Sequence, residues 1–140
     1  MKKYLSFLAV LLVTSIVVFA DDNNFINALK NCSSYTESGN VSTEGINVQS
    51  MKQILGWQSD KCVYKESVSF SGVNSTVLCN FSKPQIKEIT SVMEAYSLVQ
   101  QYSNQKVDTS SISAVQDNPV VKVWGKYLQD SSVCSINGIK

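Results

Sequence analysis

Four cysteines are the residues of this chain whose chemistry is easiest to predict. Cys32, Cys62, Cys79 and Cys134 form an even set with no close pair. A zinc site made of four thiolates normally needs ligand pairs a few residues apart. A reactive thiol needs a basic neighbour on its own side or a CxxC spacing, and Lys61, which adjoins Cys62, would point to the opposite face of a strand. We therefore expect two structural disulfides and no metal site.

The connectivity of these disulfides is a separate prediction, because four cysteines allow three pairings. We favour Cys62–Cys79, since both residues lie on consecutive predicted strands and a bulge would bring them opposite each other. Cys32–Cys134 then follows by elimination and would tie the two ends of the domain together.

Glu66 is the acid with the most catalytic potential. It shares a predicted strand face with Cys62, Tyr64 and Val68, and a half-buried carboxyl with a raised pKa is a candidate general acid. No second carboxylate can be placed beside it, and a deep cleft with converging Glu66, Lys65 or Asp60 would favour a small hydrolase. We favour the simpler alternative that Glu66 marks a solvent-facing side of the sheet or lies at a strand edge, and we predict no catalytic residue.

Three aromatic residues are candidates for a partner-binding surface. Trp57, Tyr64 and Phe70 recur along predicted strands, and exposed aromatics often bind partners. The competing interpretation is a packing role, which is the usual one for large aromatics at strand period.

The absence of two residue types excludes several function classes. The chain has no histidine and no arginine, so Ser-His-Asp and Cys-His catalysis are excluded and nucleic-acid binding is disfavoured. We expect no cofactor and no nucleic-acid partner. A non-catalytic binding module is the favoured function, with an unknown protein or small ligand as its partner.

The first twenty residues have the pattern of a secretory signal peptide. Lys2 and Lys3 precede an apolar run, and Val18-Phe19-Ala20 provides a cleavage site after Ala20. The alternative is an uncleaved membrane anchor, but the run is shorter than the roughly 20 residues that span a bilayer. We expect export to the periplasm or the exterior. The mature chain 21–140 would be one domain with no membrane span, in which ten lysines against eleven acids give a net charge of −1.

The first half of the mature chain predicts one short helix followed by strands. Asp21-Asp22 cap a helix that places Phe25, Ile26 and Leu29 on one face. Residues 33–44 are polar and predict a turn-rich segment with a turn at Gly39-Asn40. Residues 45–58 predict a strand with a bulge near Met51, which moves the buried set to Gln53, Leu55 and Trp57.

Further strands and two helices complete the predicted order. After a turn at 58–61, residues 62–70 and 76–81 alternate as strands, separated by a turn at 71–74. Ser82 and Gln85 have the spacing of a capping box for a helix over about 83–102, whose apolar stripe contains Ile86, Ile89, Met93, Tyr96 and Tyr102. A Ser-rich loop over 103–117 leads to a helix that begins after Asp117-Asn118-Pro119, and a tail carries Cys134.

This order predicts an α+β fold. A short N-terminal helix precedes an antiparallel β-meander of three to four strands, a long helix packs on the sheet, and a C-terminal helix follows.

Two resemblances accompany this prediction. The strings Ile54-Leu55-Gly56-Trp57, Lys61-Cys62-Val63-Tyr64 and Leu78-Cys79-Asn80-Phe81-Ser82 resemble a pattern in small exported bacterial proteins with a G-x-x-x-x-K-C-x-Y hairpin. That resemblance covers about residues 25–100 and implies export and disulfides but no activity. A weaker one is to cystatins, in which a helix precedes an antiparallel sheet with a Gln-x-Val-x-Gly hairpin. Gln53-Ile54-Leu55-Gly56 is one residue short of that motif, and the resemblance implies protease inhibition by analogy.

Overall fold

The computed structural model describes residues 23–43, 45–103 and 116–138. The predicted leader 1–20, the Asp21–Asp22 helix cap and residues 104–115 of the Ser-rich loop lie outside the described residues. In the described part, no helix is both long and apolar enough to cross a membrane.

Within these ranges the chain forms three helices and one antiparallel sheet of five strands. The helices are α1 (Asn23–Asn31), α2 (Lys83–Ser103) and α3 (Pro119–Leu128). The strands lie in the order of the chain, β1 (Tyr35–Thr43), β2 (Ile46–Gln58), β3 (Lys61–Phe70), β4 (Val73–Phe81) and β5 (Cys134–Asn137). The predicted α+β class is confirmed, and the sheet has five strands rather than three to four.

The additional strands come from segments predicted to be irregular. Residues 35–43 pair continuously with β2, so the predicted turn at Gly39-Asn40 is wrong. This strand lies at the edge of the sheet, where polar side chains remain solvated and a weak hydrophobic pattern suffices. The C-terminal tail adds β5 beside β4, with Cys134 opposite Cys79.

The bulge in β2 lies between Ile54 and Gly56, not near Met51. The alternation of β2 therefore runs unbroken from Ile46 to Ile54. As a result the chain buries Ser50 and Lys52, while Leu55 is 46% exposed instead of buried. Gly56 takes φ +92° at the bulge, a conformation that L residues with a Cβ rarely adopt.

Most of the predicted helix signals within the described residues are confirmed, although Tyr102, predicted on the apolar stripe of α2, is 88% exposed. Phe25, Ile26 and Leu29 of α1 are buried. The capping box of α2 forms, because Gln85 Oε1 accepts from the backbone N–H of Ser82 at 2.8 Å. At the start of α3 the side chain of Asn118 accepts from the N–H of Val120 at 2.9 Å.

All three helices pack on the same face of the sheet, which we call the inner face. One hydrophobic cluster joins them to alternate residues of the strands. Aromatic contacts link the elements: Tyr64 lies 6.2 Å from Phe25 and 5.1 Å from Trp124 between ring centroids, and Trp124 contacts Phe81 at 5.7 Å. The opposite face of the sheet, which we call the outer face, carries the other strand residues.

The disulfides are Cys32–Cys62 and Cys79–Cys134, so the predicted pairing of Cys62 with Cys79 and of Cys32 with Cys134 is wrong. The register explains the difference: Cys62 lies opposite Phe81 and Cys79 lies opposite Tyr64, with no bulge between β3 and β4. Cys62 and Cys79 are therefore diagonal neighbours. Cys79 instead lies directly opposite Cys134, and the end of α1 brings Cys32 to Cys62.

Candidate functional site

The predicted aromatic surface does not form. Tyr64 is fully buried in the core, so it cannot contact a partner. Phe70 shares the inner face with Tyr64 but lies six residues further along β3, about 20 Å away. Trp57 is 39% exposed at the other end of the sheet, where the Nζ of Lys83 lies 5.7 Å from its ring centroid.

The prediction that Glu66 marks a solvent-facing side of the sheet is wrong. Glu66 lies on the inner face, where it is 4% exposed. The residues proposed to converge with it do not. Lys65 is the next residue of β3 and pairs with Gln53 and Leu78 on the outer face. Asp60 is exposed in the turn between β2 and β3.

A different set of ionisable groups surrounds Glu66. Glu37, Lys52 and Glu66 lie opposite one another on β1, β2 and β3, and we call them the charged row. The phenol of Tyr64 donates a hydrogen bond of 2.8 Å to Oε2 of Glu66. The Nζ of Lys52, a residue only 1% exposed, lies 5.5 Å from the ring centroid of Phe25.

Lys52 and Glu66 of the charged row, and the neighbouring Tyr64, are closed to solvent. Burial, followed by the charge of Glu66 and its hydrogen bond, raises the pKa of Tyr64 well above its ordinary value. A carboxylate that accepts a hydrogen bond from a phenol can exchange a proton with it. Glu66 is 4% exposed and Tyr64 is fully buried, so this pair is closed to a substrate from solvent.

Lys52 and Glu37 are the residues of this row that the sequence prediction missed, and Lys52 is the buried one. The signal was present, because residues 46, 48, 50, 52 and 54 share one strand face if the alternation is not interrupted. The predicted bulge near Met51 removed Lys52 from that face.

The outer face carries an open concavity of about 640 Å³ at the end of the sheet remote from the disulfides. Its side chains come from two adjacent registered rows, which we call the neutral rows, and each row crosses all four strands of the meander. The first row is Ser38, Met51, Ser67 and Thr76, and the second is Asn40, Gln49, Ser69 and Asn74.

The chemistry of the neutral rows is uniform. Seven of these eight side chains carry a hydroxyl or an amide, Met51 is apolar and 42% exposed, and none is ionisable. Lys65 is the charged residue of the adjacent row on this face. Hydroxyls and amides both donate and accept hydrogen bonds, so the neutral rows offer a dense hydrogen-bonding surface without net charge.

Buried residues on the inner face support the floor of the concavity. Ser50, Val68 and Ser75 lie opposite one another, and all three are less than 9% exposed. The Oγ of Ser75 donates to the carbonyl of Asn137 at 3.0 Å, which attaches the end of β5 to β4. Gly138 follows with φ +96°, and a Cβ there would overlap the carbonyl oxygen of Asn74. The backbone of Asn74 therefore lies between Ser69 of β3 and the end of β5.

Among the described residues no group of three or more Cys, Asp or Glu side chains is arranged to hold a metal ion. No protein-family model, no curated protein and no solved structure matches this chain.

Proposed function

We propose that this protein is an exported, non-catalytic binding protein that holds an uncharged polar ligand on the neutral rows. The observation that carries the proposal is the registered set of hydroxyl and amide side chains around the concavity of about 640 Å³. Its volume falls within the range of roughly 300–1,000 Å³ typical of small-molecule sites. Because the concavity is open and polar, the ligand is held by hydrogen bonds and keeps one side in solvent.

The charge of the site supports an uncharged ligand. A charged ligand gains affinity from an opposite charge at its site, and the lining of the concavity provides none. A solvent-facing surface of this size without a charge in its lining therefore fits contact with a neutral partner.

A carboxylate-dependent hydrolase is a weaker proposal. Glu66 is the acid with suitable neighbours, but it is 4% exposed and its phenol partner is fully buried. A cystatin-like inhibitor is also weaker. The order of one helix followed by an antiparallel meander agrees with it, but Gln53–Gly56 lies inside β2 rather than at a hairpin turn.

Export is supported from two directions. Two disulfides are typical of an oxidising compartment outside the cytosol. The order of charged, apolar and small residues over 1–20 is that of a signal peptide.

Calorimetric titration with several probe classes tests the proposal. The probes are a neutral tetrasaccharide, a capped uncharged tripeptide of glycine and serine, and adenosine, with spermidine and citrate as charged probes. We expect saturable binding of at least one neutral class. That binding is weakened in Gln49→Ala and kept in Gln53→Ala, because both glutamines lie on the outer face of β2 but Gln49 alone lines the concavity.

Two outcomes would contradict the proposal. One is binding of the charged probes alone, or of no probe. The other is cleavage of a bound probe, detected by mass spectrometry, that is lost in Glu66→Gln.

A further inference from the structure

We infer that the ligand of the neutral rows is a neutral oligosaccharide, an inference that rests on the function proposed above. Three features of the site carry it: the type of hydrogen-bonding groups, their location on a sheet face, and the shape of the rows. Together they favour a sugar over a nucleobase or an extended peptide.

The first feature is that almost every lining group both donates and accepts hydrogen bonds. A sugar hydroxyl also does both, so each one can find a partner without a fixed pattern of donors and acceptors. A nucleobase presents a fixed pattern and a broad aromatic face that needs an aromatic partner. None of the lining side chains is aromatic.

The second feature is the location of the site on the face of the sheet and not at its edge. An extended peptide binds to a sheet mainly through main-chain hydrogen bonds to an edge strand. The neutral rows cross β1, β2, β3 and β4, and the backbone groups of β2 and β3 are already paired on both sides. Side-chain hydroxyls and amides therefore provide the contacts, which suits a polyol.

The third feature is shape. Four adjacent strands span about 14 Å, and two rows on one face are about 7 Å apart along the strands. This elongated platform is longer than a single sugar ring and suits a short chain of rings laid across the strands. Met51 is 42% exposed within the first row and provides an apolar contact for the C–H side of a ring.

Affinity measurements with four tetrasaccharides test the inference. Maltotetraose, cellotetraose and chitotetraose are the neutral probes, and tetragalacturonate is the acidic one. We expect at least one neutral probe to bind saturably and tetragalacturonate to bind more weakly. The affinity for the neutral probe is unchanged between low and high salt, because exposed charges that salt would screen take no part.

Variants on matched positions locate the site. Gln49→Ala and Asn74→Ala each weaken binding of that probe by about threefold to tenfold, as expected for the loss of one hydrogen bond. Gln53→Ala and Asn80→Ala are controls on the same strands and the same face but outside the concavity, and they change affinity by less than about twofold. Equal losses in both sets would overturn the assigned site.

Three outcomes overturn the inference. If the capped tripeptide or adenosine binds on the neutral rows and no tetrasaccharide does, the ligand class is wrong and the proposed function stands. If no neutral probe of any class binds, both the inference and the proposed function fail.

The third outcome concerns glycosylation. Asn40-Val41-Ser42 and Asn74-Ser75-Thr76 are also N-glycosylation acceptor sequences. A glycan on Asn40 or Asn74 in protein from its native host, seen by intact mass, would mean that the rows carry an attached sugar instead.

Discussion

On the inner face, β2 and β3 bury Lys52 and Glu66 opposite each other, whereas on the outer face the same two strands present Gln49 and Ser69 around an open concavity. Burying a charge is costly unless an opposite charge lies close to it. The inner face meets this condition because Lys52 lies between two carboxylates. The neutral rows of the outer face have no such cost, since their side chains are exposed or partly exposed.

The inner face carries the residues expected to stabilise the fold, and the outer face carries those proposed to bind a ligand. Residues of the charged row and both disulfides lie on the inner face, so changes there should alter the free energy of unfolding. Residues of the neutral rows are exposed or partly exposed, so changes there should alter ligand binding with little effect on stability.

Removal of a disulfide should have the largest effect on the free energy of unfolding. The Cys79→Ala/Cys134→Ala variant should lose about 4 kcal/mol of unfolding free energy, because the bond closes a sequence separation of 55 residues. Removing Cys32–Cys62, with a separation of 30, should cost about 0.5 kcal/mol less. Urea unfolding measures both. Non-reducing peptide mapping checks the connectivity, and a Cys62–Cys79 peptide would refute it.

Changes in the charged row should have the second largest effect on the free energy of unfolding. Glu66→Gln should lower the free energy of unfolding by about 3 kcal/mol, because it removes the carboxylate opposite a buried lysine. Lys65→Gln is the matched control, since the adjacent residue points to the outer face, and it should stay within about 0.5 kcal/mol of the parent. The double variant Lys52→Met/Glu66→Leu should recover most of the loss. A Glu66→Gln protein as stable as the Lys65→Gln protein would disprove the stabilising role of the row.

Tyr64 should show a smaller effect with a characteristic pH dependence. Tyr64→Phe removes a hydrogen bond to a carboxylate and should cost about 1.5–3 kcal/mol near neutral pH. Since burial raises the pKa of Tyr64, the folded protein keeps this proton at a pH where the unfolded chain loses it. The stability of the parent should therefore fall as the pH rises above about 10, and Tyr64→Phe should reduce that slope. Tyr102→Phe, at a position 88% exposed, should leave stability near neutral pH unchanged. An identical alkaline slope in parent and Tyr64→Phe would argue against this assignment.

The neutral rows should have the smallest effect on stability. The Gln49→Ala/Asn74→Ala variant should unfold within about 0.5 kcal/mol of the parent, because both side chains are exposed. The same variant should lose ligand affinity. A loss of more than about 1 kcal/mol would mean that these residues stabilise the sheet, and the division between the faces would then fail.

Local signals were sufficient to predict most of the elements. The capping box at Ser82 and Gln85, and the Asn118-Pro119 start of α3, depend on neighbouring residues alone. Strands whose pairing depends on another part of the sequence are harder to predict. β1 has little hydrophobic pattern, because it lies at an edge and its partner β2 determines its register.

The site could not be predicted for a related reason. The prediction placed a bulge near Met51 to move the apolar set of β2 across the strand, and that bulge took Lys52 off the buried face. The carboxylates that make its burial tolerable lie on other strands, at Glu37 and Glu66. The neutral rows likewise become visible only when four strands are aligned in register.

Side-chain signals in a nuclear magnetic resonance titration test the central claim most directly. The amide groups of Gln49 and Asn74 report on the outer face, and the indole N–H of Trp124, which is 2% exposed, reports on the inner face. When the three neutral tetrasaccharides are added in turn, the account predicts that at least one shifts the Gln49 and Asn74 signals saturably and leaves the Trp124 signal in place. A shift of the Trp124 signal without those of Gln49 and Asn74, or no saturable shift with any of the three, would contradict it.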